Sequence, residues 1–227
     1  MKDLATFRRG AFLVCLAFAP ALMVISVALQ PPFVDGYADR LGGIDQAGAG
    51  AWVSSALFIA TQPLMLVVYL GIAHLLRDHA PRVAIASCLV GFLATFGEAV
   101  MGGTALVYLT MASQGDNREL FAGVWEQMES SPVMVFAMLG FGGTVLTLIL
   151  LSIGLFRSRI FPRWVPALVW AFFLLEFFGS ALTSYASYAA VVCLIVAFGV
   201  IARHVVQTPS SDWAAATGDR DEVSAAT

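Results

Sequence analysis

Six apolar stretches of this chain are each long enough to cross the hydrocarbon core of a bilayer, and they constrain the fold more than any other feature. A crossing needs about 18 residues, because an α-helix rises about 1.5 Å per residue and the hydrocarbon layer is about 30 Å thick. The stretches are residues 10–29, 51–76, 83–112, 133–156, 164–182 and 184–202. They predict an all-α, polytopic integral membrane protein with six transmembrane helices.

The composition supports the same class of protein. The chain is 59% hydrophobic and 12% charged, whereas soluble domains are about 45–50% apolar and about 25% charged. A formal net charge of -3 does not indicate a nucleic-acid partner. We therefore predict that residues 1–204 form a six-span membrane domain whose partner is the lipid bilayer. Residues 205–227 lack an apolar pattern and are predicted to be a disordered cytoplasmic tail.

Basic side chains gather on one side of the predicted spans. Loops rich in Lys and Arg stay in the cytoplasm, so both termini are predicted to be cytoplasmic. The residues on that side are Lys2, Arg8, Arg9, Arg77, Arg82, Arg157, Arg159, Arg163, Arg203 and Arg220, and those on the other side are Arg40 and Arg118.

The second outer loop contains the segment "RELFAGVWEQMES". Leu120, Phe121, Val124, Trp125 and Met128 share one helical face in it, which predicts an amphipathic helix. We expect this helix to lie on the outer interface or to cap the bundle, as a cover for helix ends rather than a substrate gate.

Polar side chains interrupt five predicted spans at nearly the same depth. Counted from the nearest cytoplasmic arginine, each lies about 20–24 Å into the membrane. Intramembrane ionisable residues are costly and usually functional. We therefore predict a polar, ligand-binding pocket between spans two to six. Its residues are Gln62, Glu98, Thr144, Glu176 and Tyr188.

The two glutamates are predicted to face the bundle interior. Glu98 shares a stripe of small and polar residues with Gly91, Thr95 and Gly102, and such stripes let membrane helices approach closely. No basic side chain occurs at this depth. Since an isolated carboxylate in hydrocarbon is far more costly than a neutral acid, at least one of Glu98 and Glu176 is predicted to be protonated at neutral pH.

Three kinds of function remain open for such a pocket. The first is binding, or helping to move, a small amphipathic or proton-coupled ligand. The second is an intramembrane enzyme that uses Glu98 or Glu176 as a catalytic general acid, by analogy with small isoprenoid cyclases. The third is a structural subunit of a larger membrane complex with an unspecified protein partner.

The sequence contains no motif for a cofactor or a metal. Its three histidines lack HxxxH or HExxH spacing, and Cys15, Cys88 and Cys193 lie in apolar stretches without CxxC spacing. A Walker loop, a GxGxxG turn and a GxSxG elbow are also absent from the sequence. No cofactor and no metal are predicted.

The junction "GLFRSRIFPRWVPALVW" and the stretch "AWVSSALFIATQPLMLVVYLGIAHLLR", which follows a long first outer loop, carry a family resemblance. The chain resembles the bacterial membrane proteins grouped as domain of unknown function 4386 in span spacing, loop lengths and this junction. The resemblance implies a six-span helical bundle in the bacterial cytoplasmic membrane. It implies no activity, and it assigns no role to Glu98 or Glu176.

Overall fold

The fold is given by a computed structural model, which describes residues 2–31, 34–179, 183 and 185–208. These residues form α-helices joined by short connections, without a β-strand among them, so the all-α prediction is confirmed. The α-helices are α1 (Lys2–Leu29), α2 (Tyr37–Ala47), α3 (Ala49–Leu76), α4 (Pro81–Ala112), α5 (Arg118–Glu129), α6 (Met134–Ser158), α7 (Trp164–Leu174) and α8 (Tyr185–Gln207). A 3₁₀ turn, Gly115–Asn117, precedes α5, and a π-helical segment, Leu175–Gly179, continues α7.

Five helices have the length and composition needed to cross a membrane, namely α1, α3, α4, α6 and α8. This is the pattern of a multi-pass membrane protein. The fifth predicted span is shorter, because α7 and the π-helical segment together cover Trp164–Gly179. The predicted end of that span at Leu182 and the predicted start of the next at Ser184 lie outside the described residues, as does most of the predicted tail.

Six helices form a closed ring. Around it, α1 packs on α3, α3 on α4, α4 on α6, α6 on α7, α7 on α8, and α8 on α1 again. Within the described part of the chain, α3 and α6 also meet beside α4. Side chains of α4 therefore face the angle between α3 and α6.

A large apolar core fills one end of the ring, which we call the basic end because Arg77, Arg157 and Arg203 lie there. Contacts of Gly154 with Leu76, and of Phe161 with His204, bring the ends of α3, α6 and α8 together. Tight packing of such side chains holds membrane helices together. The core includes Phe12, Leu16, Val68, Ile72, Leu76, Leu148, Leu151, Leu155, Val165, Val169, Phe172, Leu194, Phe198, Ile201 and Val205.

The opposite end of the ring, the far end, carries a small cap made by α2 and α5. Trp125 packs with the fully buried Leu41 and stacks on Tyr108 with 3.9 Å between ring centroids. Glu129 accepts hydrogen bonds from the Tyr37 hydroxyl at 2.7 Å and from the Trp125 indole at 3.0 Å. The cap therefore joins the two loops through one buried cluster and one carboxylate.

The predicted amphipathic helix of the second outer loop is confirmed as α5, Arg118–Glu129. Its buried side is narrower than predicted, because Leu120 is 67% exposed and Val124 is also exposed. Helix α2 was not predicted, since Gly42 and Gly43 interrupt an apolar pattern that rests largely on Leu41.

A candidate ligand site inside the helix ring

Glu98 lies on the inward side of α4, in the angle between α3 and α6. The position of Gly97 against Gly140 marks the side of α4 that faces α6, and the position of Gly91 against Tyr69 marks the side that faces α3. Glu98 follows Gly97 by about 100° of helical rotation, between these two directions. Its carboxylate accepts a hydrogen bond from the Thr144 hydroxyl at 3.4 Å. The side chain is only partly buried.

The hydrogen bond depends on an unusually close crossing of α4 and α6. A Cβ atom on Gly140 would lie 2.8 Å from the Glu98 amide nitrogen, and one on Gly143 would lie 3.0 Å from the Ala94 Cα. Only small residues let two membrane helices approach to this distance. The glycines therefore bring Thr144 within reach of Glu98.

Tyr69 closes the inner side of this site and was not predicted as a site residue. It is 3% exposed, and its ring lies over Gly91, which precedes Glu98 by two turns on the same face of α4. Among the described residues, no group forms a hydrogen bond with its hydroxyl. The seven-residue spacing from Gln62, which puts both on one face of α3, is the sequence signal that could have identified Tyr69.

Gln62 lies on the same face of α3, farther from the basic end. It is 7% exposed, and its amide nitrogen donates a hydrogen bond to the Phe58 carbonyl at 3.2 Å. Pro63 follows it inside the helix and has no N–H to give to the preceding turn. Gln62 is therefore buried toward the ring, and its amide bonds to the turn that Pro63 disturbs.

Glu176 continues the inward face of α7 beyond the apolar core. Val165, Val169 and Phe172 are the buried residues of that face, and Glu176 follows Phe172 by one turn. It lies in the π-helical segment and forms a side-chain hydrogen bond with Ser187 of α8. Single π-helical turns occur frequently at functional sites. The inward position and the π-helical turn thus independently mark Glu176 as a candidate.

Tyr188, the predicted site residue of the last span, is 44% exposed. The neighbouring Ser187 is partly buried and bonded to Glu176, and it continues the inward face of Val191 and Leu194. On α8, the structure therefore places Ser187 rather than Tyr188 beside the acid.

The structure forms two carboxyl–hydroxyl pairs, Glu98 with Thr144, both predicted, and Glu176 with Ser187, which was not predicted. Helix α6, which carries Thr144, is linked to the π-helical segment by the rings of Phe141 and Phe177, which pack edge to face with 4.6 Å between ring centroids. Together with Gln62 these groups form what we call the polar layer, on the inward faces of five helices directly beyond the apolar core.

The polar layer contains acidic and neutral polar groups but no basic side chain. It offers two carboxyl groups, one amide and two hydroxyls, and the sequence places no Lys, Arg or His at this depth. In the part of the chain that the structure describes, no three His, Cys, Asp or Glu side chains gather to hold a metal ion. The layer can therefore hold a proton, or a ligand group that donates hydrogen bonds.

The basic end is closed beneath this layer. Besides the apolar core, the Arg9 guanidinium donates a hydrogen bond to the Val206 carbonyl at 2.7 Å and ties α1 to the end of α8. On the other side, a Cβ atom on Gly179 would lie 2.9 Å from the Ala186 side chain, so the chain turns from α7 to α8 soon after Glu176. Glu176 therefore lies close to the far end of its own helix pair.

Fold and site define a multi-pass helical membrane protein with acid–hydroxyl pairs inside its helix ring. No protein-family model matches the chain, and searches of curated proteins and of solved structures find no match. The geometry of the polar layer therefore carries the functional argument.

Proposed function

We propose that the polar layer binds a small amphipathic or proton-coupled ligand and that the protein holds this ligand or helps to move it. The observation that carries the proposal is the position of Glu98 and Glu176. Both lie on inward helix faces beyond the core, each bonded to a hydroxyl of a neighbouring helix, in a layer without a basic side chain. Acids in this setting are costly to retain and are commonly functional.

We also propose the setting in which this site works. The protein crosses the bacterial cytoplasmic membrane six times, with both termini in the cytoplasm, and is a distant relative of the domain of unknown function 4386 family. The positive-inside rule and the "GLFRSRIFPRWVPALVW" junction support this assignment. The crossing by α7 is supported by its packing on α8 and by the close approach of Gly179 to the Ala186 side chain, because residues seven apart come together only if the chain reverses between them.

Reporter fusions test the topology. Alkaline phosphatase fused after Thr183 is expected to be active, and green fluorescent protein fused after Thr208 is expected to fluoresce. A non-fluorescent fusion after Thr208 together with an active phosphatase there would contradict the six-span topology.

The binding proposal is tested by native mass spectrometry of the protein purified in lipid nanodiscs. Wild-type protein is expected to carry a small molecule that is lost in Glu98→Gln, in Glu176→Gln, or in both. Ser87→Ala is the matched control, because Ser87 is buried on α4 and bonds only within its own helix. A stoichiometric protein in place of a small molecule would support the structural-subunit alternative instead.

A specific observation favours the enzyme as the second candidate. The ring centroids of Phe173 and Phe177, which flank Glu176 in the sequence, lie 5.2 Å apart, and the Phe141 ring of α6 packs edge to face on Phe177. Aromatic faces stabilise a nearby positive charge, as the carbocation of an isoprenoid cyclisation would require. Incubation with polyunsaturated isoprenoids should then give products of unchanged mass with fewer double bonds. No such product with wild-type protein would remove this candidate.

A further inference from the structure

We infer that the connection between α6 and α7 binds the head group of an anionic phospholipid. The connection lies at the basic end, and Arg157, Arg159 and Arg163 are the side chains that would hold the phosphate. We call these three residues the arginine triad. The inference goes beyond the proposed function, because it concerns a lipid at the edge of the bundle rather than a ligand in the polar layer.

The arginine triad is exposed and has no acidic partner. All three side chains are exposed, and within the described part of the chain none of their guanidinium groups forms an ion pair or a hydrogen bond. The sequence has no Asp or Glu between Glu129 and Glu176, so no neighbour along the chain can supply one. Three such charges close together in the sequence repel one another unless an anion lies between them.

The backbone of Arg159 is a second, independent observation. Its φ and ψ angles are 53° and 17°, in the left-handed region where a helix usually ends on glycine. Among the described residues other than glycine, Arg159 alone has a positive φ. Arginine is less favourable than glycine in this conformation, and residues strained in this way cluster at ligand-binding sites. The conformation therefore indicates a role for the Arg159 side chain.

The connection is anchored at its centre, so a fixed backbone presents the arginine triad. Phe161 is buried in the apolar core, and its ring packs edge to face on His204 with 4.9 Å between ring centroids. The Ser158 hydroxyl donates a hydrogen bond to the Leu155 carbonyl at 3.0 Å and accepts one from the Ile160 amide at 3.4 Å. A fixed backbone lowers the entropy that is lost when a ligand binds.

Two exposed aromatic side chains support a lipid as the ligand. Phe156 directly precedes Arg157 near the end of α6, and Trp164 directly follows Arg163 at the start of α7. Tryptophan concentrates where hydrocarbon meets the head groups, and a neighbouring arginine can reach the phosphates. Guanidinium groups bind phosphate oxygens bidentately. The phosphate of a zwitterionic lipid is balanced by its own ammonium group, so three arginines favour a lipid with a net negative charge.

Native mass spectrometry of the full-length protein tests the site. The nanodiscs contain equal amounts of dioleoyl phosphatidylglycerol and dioleoyl phosphatidylcholine, which share acyl chains and differ in head-group charge. Wild-type protein should retain phosphatidylglycerol about tenfold over phosphatidylcholine, and Arg157→Gln or Arg163→Gln should lower this preference about fivefold. Equal retention of the two lipids by wild-type protein would overturn the inference.

Arg8→Gln is the matched control. Arg8 is an exposed arginine at the same end, on α1, which lies across the ring from α6. Its substitution removes the same charge and should leave the lipid preference unchanged. An equal loss in Arg8→Gln would assign the preference to the overall charge of the basic end and would overturn the role of the arginine triad.

Arg159→Gly separates lipid binding from folding. Glycine suits the left-handed backbone, so in pure phosphatidylcholine nanodiscs the midpoint of thermal unfolding should stay the same or rise. The same substitution should lower the preference for phosphatidylglycerol about fivefold. A lower midpoint with an unchanged lipid preference would give Arg159 a structural role only and would contradict the inference.

A soluble phosphate compound is the other source of the same chemistry. Calorimetric titration of inorganic phosphate into protein in phosphatidylcholine nanodiscs should show no binding that depends on the arginine triad. Phosphate binding that Arg159→Gly abolishes would overturn the lipid assignment. None of these measurements involves Glu98 or Glu176, so their failure would leave the proposed function of the polar layer standing.

Discussion

The backbone of Gly97 on α4 lies directly against the backbone of Gly140 on α6. A Cβ atom on Gly97 would lie 2.6 Å from the Phe136 carbonyl oxygen and 2.7 Å from the Gly140 Cα. Both obstacles are backbone atoms, which cannot rotate away. The contact sets the spacing of the two helices at the point where Thr144 reaches Glu98.

Gly97→Ala should therefore force α4 and α6 apart. Overpacking a tight contact costs about 1–3 kcal/mol, and we expect the upper part of that range because backbone is the obstacle. The 3.4 Å bond between Thr144 and Glu98 is already long, so it should be lost. Thermal unfolding in nanodiscs measures the effect.

Gly103→Ala is the control for this prediction. Gly103 lies on the same helix, and a Cβ atom there would have nothing within 4 Å. The midpoint of thermal unfolding of the Gly103→Ala variant should stay the same or rise slightly, because Ala favours a helix more than Gly does. Equal destabilisation by both substitutions would mean that the close crossing is not what holds α4 and α6 together.

Ser26 and Ser54 are expected to be energetically coupled. The Ser26 hydroxyl donates to the Ser54 carbonyl at 2.9 Å, and the Ser54 hydroxyl donates to the Ser26 carbonyl at 2.8 Å. Hydrogen bonds between membrane helices average about 0.6 kcal/mol in double-mutant cycles. Alanine substitutions singly and together, followed by reversible unfolding, should give a coupling of about this size.

A second cycle provides the comparison. Ser87 is buried but bonds to Ala84 within α4, so Ser26→Ala and Ser87→Ala should be additive. Additivity of Ser26→Ala and Ser54→Ala as well would show that the reciprocal bonds between α1 and α3 contribute no measurable coupling.

The pKa of Tyr37 should report on the far-end cap. The hydrogen bond from its hydroxyl to Glu129, together with burial and the negative charge of Glu129, raises this pKa above its usual value of about 10. Because the folded-state pKa is the higher one, the contribution to stability is complete below about pH 10 and is lost as the pH rises through the folded-state pKa.

Absorbance titration of wild-type protein against Tyr37→Phe isolates the ionisation of Tyr37. In Glu129→Gln its midpoint should move to lower pH, because the charged acceptor is gone. Glu119→Gln removes the same charge from the exposed side of α5 and should leave the midpoint in place. If neither substitution moves the midpoint, the hydrogen bond to Glu129 is not the cause of the raised pKa of Tyr37.

The long spans and the inward face of Glu98 could be read from the sequence. Length and hydropathy alone predict α3, α4 and α6, and the small stripe with Gly91, Thr95 and Gly102 lies on the buried face of α4. Such patterns depend only on the residues of one helix, so they can be recognised without knowing how the other helices pack.

Features that depend on the packing of neighbouring helices could not be predicted from the sequence. The π-helical segment shifts the phase of residues 175–179, which a regular helical period cannot anticipate. Ser187 and Tyr188 are adjacent and equally polar in the sequence, and only packing against Glu176 separates them. Tyr69 resembles an ordinary core aromatic in the sequence, and only the packing of its ring over Gly91 shows that it lies against α4.

Cysteine accessibility tests the central proposal, that a ligand reaches the polar layer from the far end while the apolar core closes the basic end. Thr144→Cys and Ser187→Cys, in a background without native cysteines, should react with a small membrane-impermeant thiosulfonate added on the side of the outer loops. Leu151→Cys and Leu194→Cys lie on the same helix faces within the core and should not react. Reaction of the core positions, or full protection of Thr144→Cys and Ser187→Cys, would contradict the account.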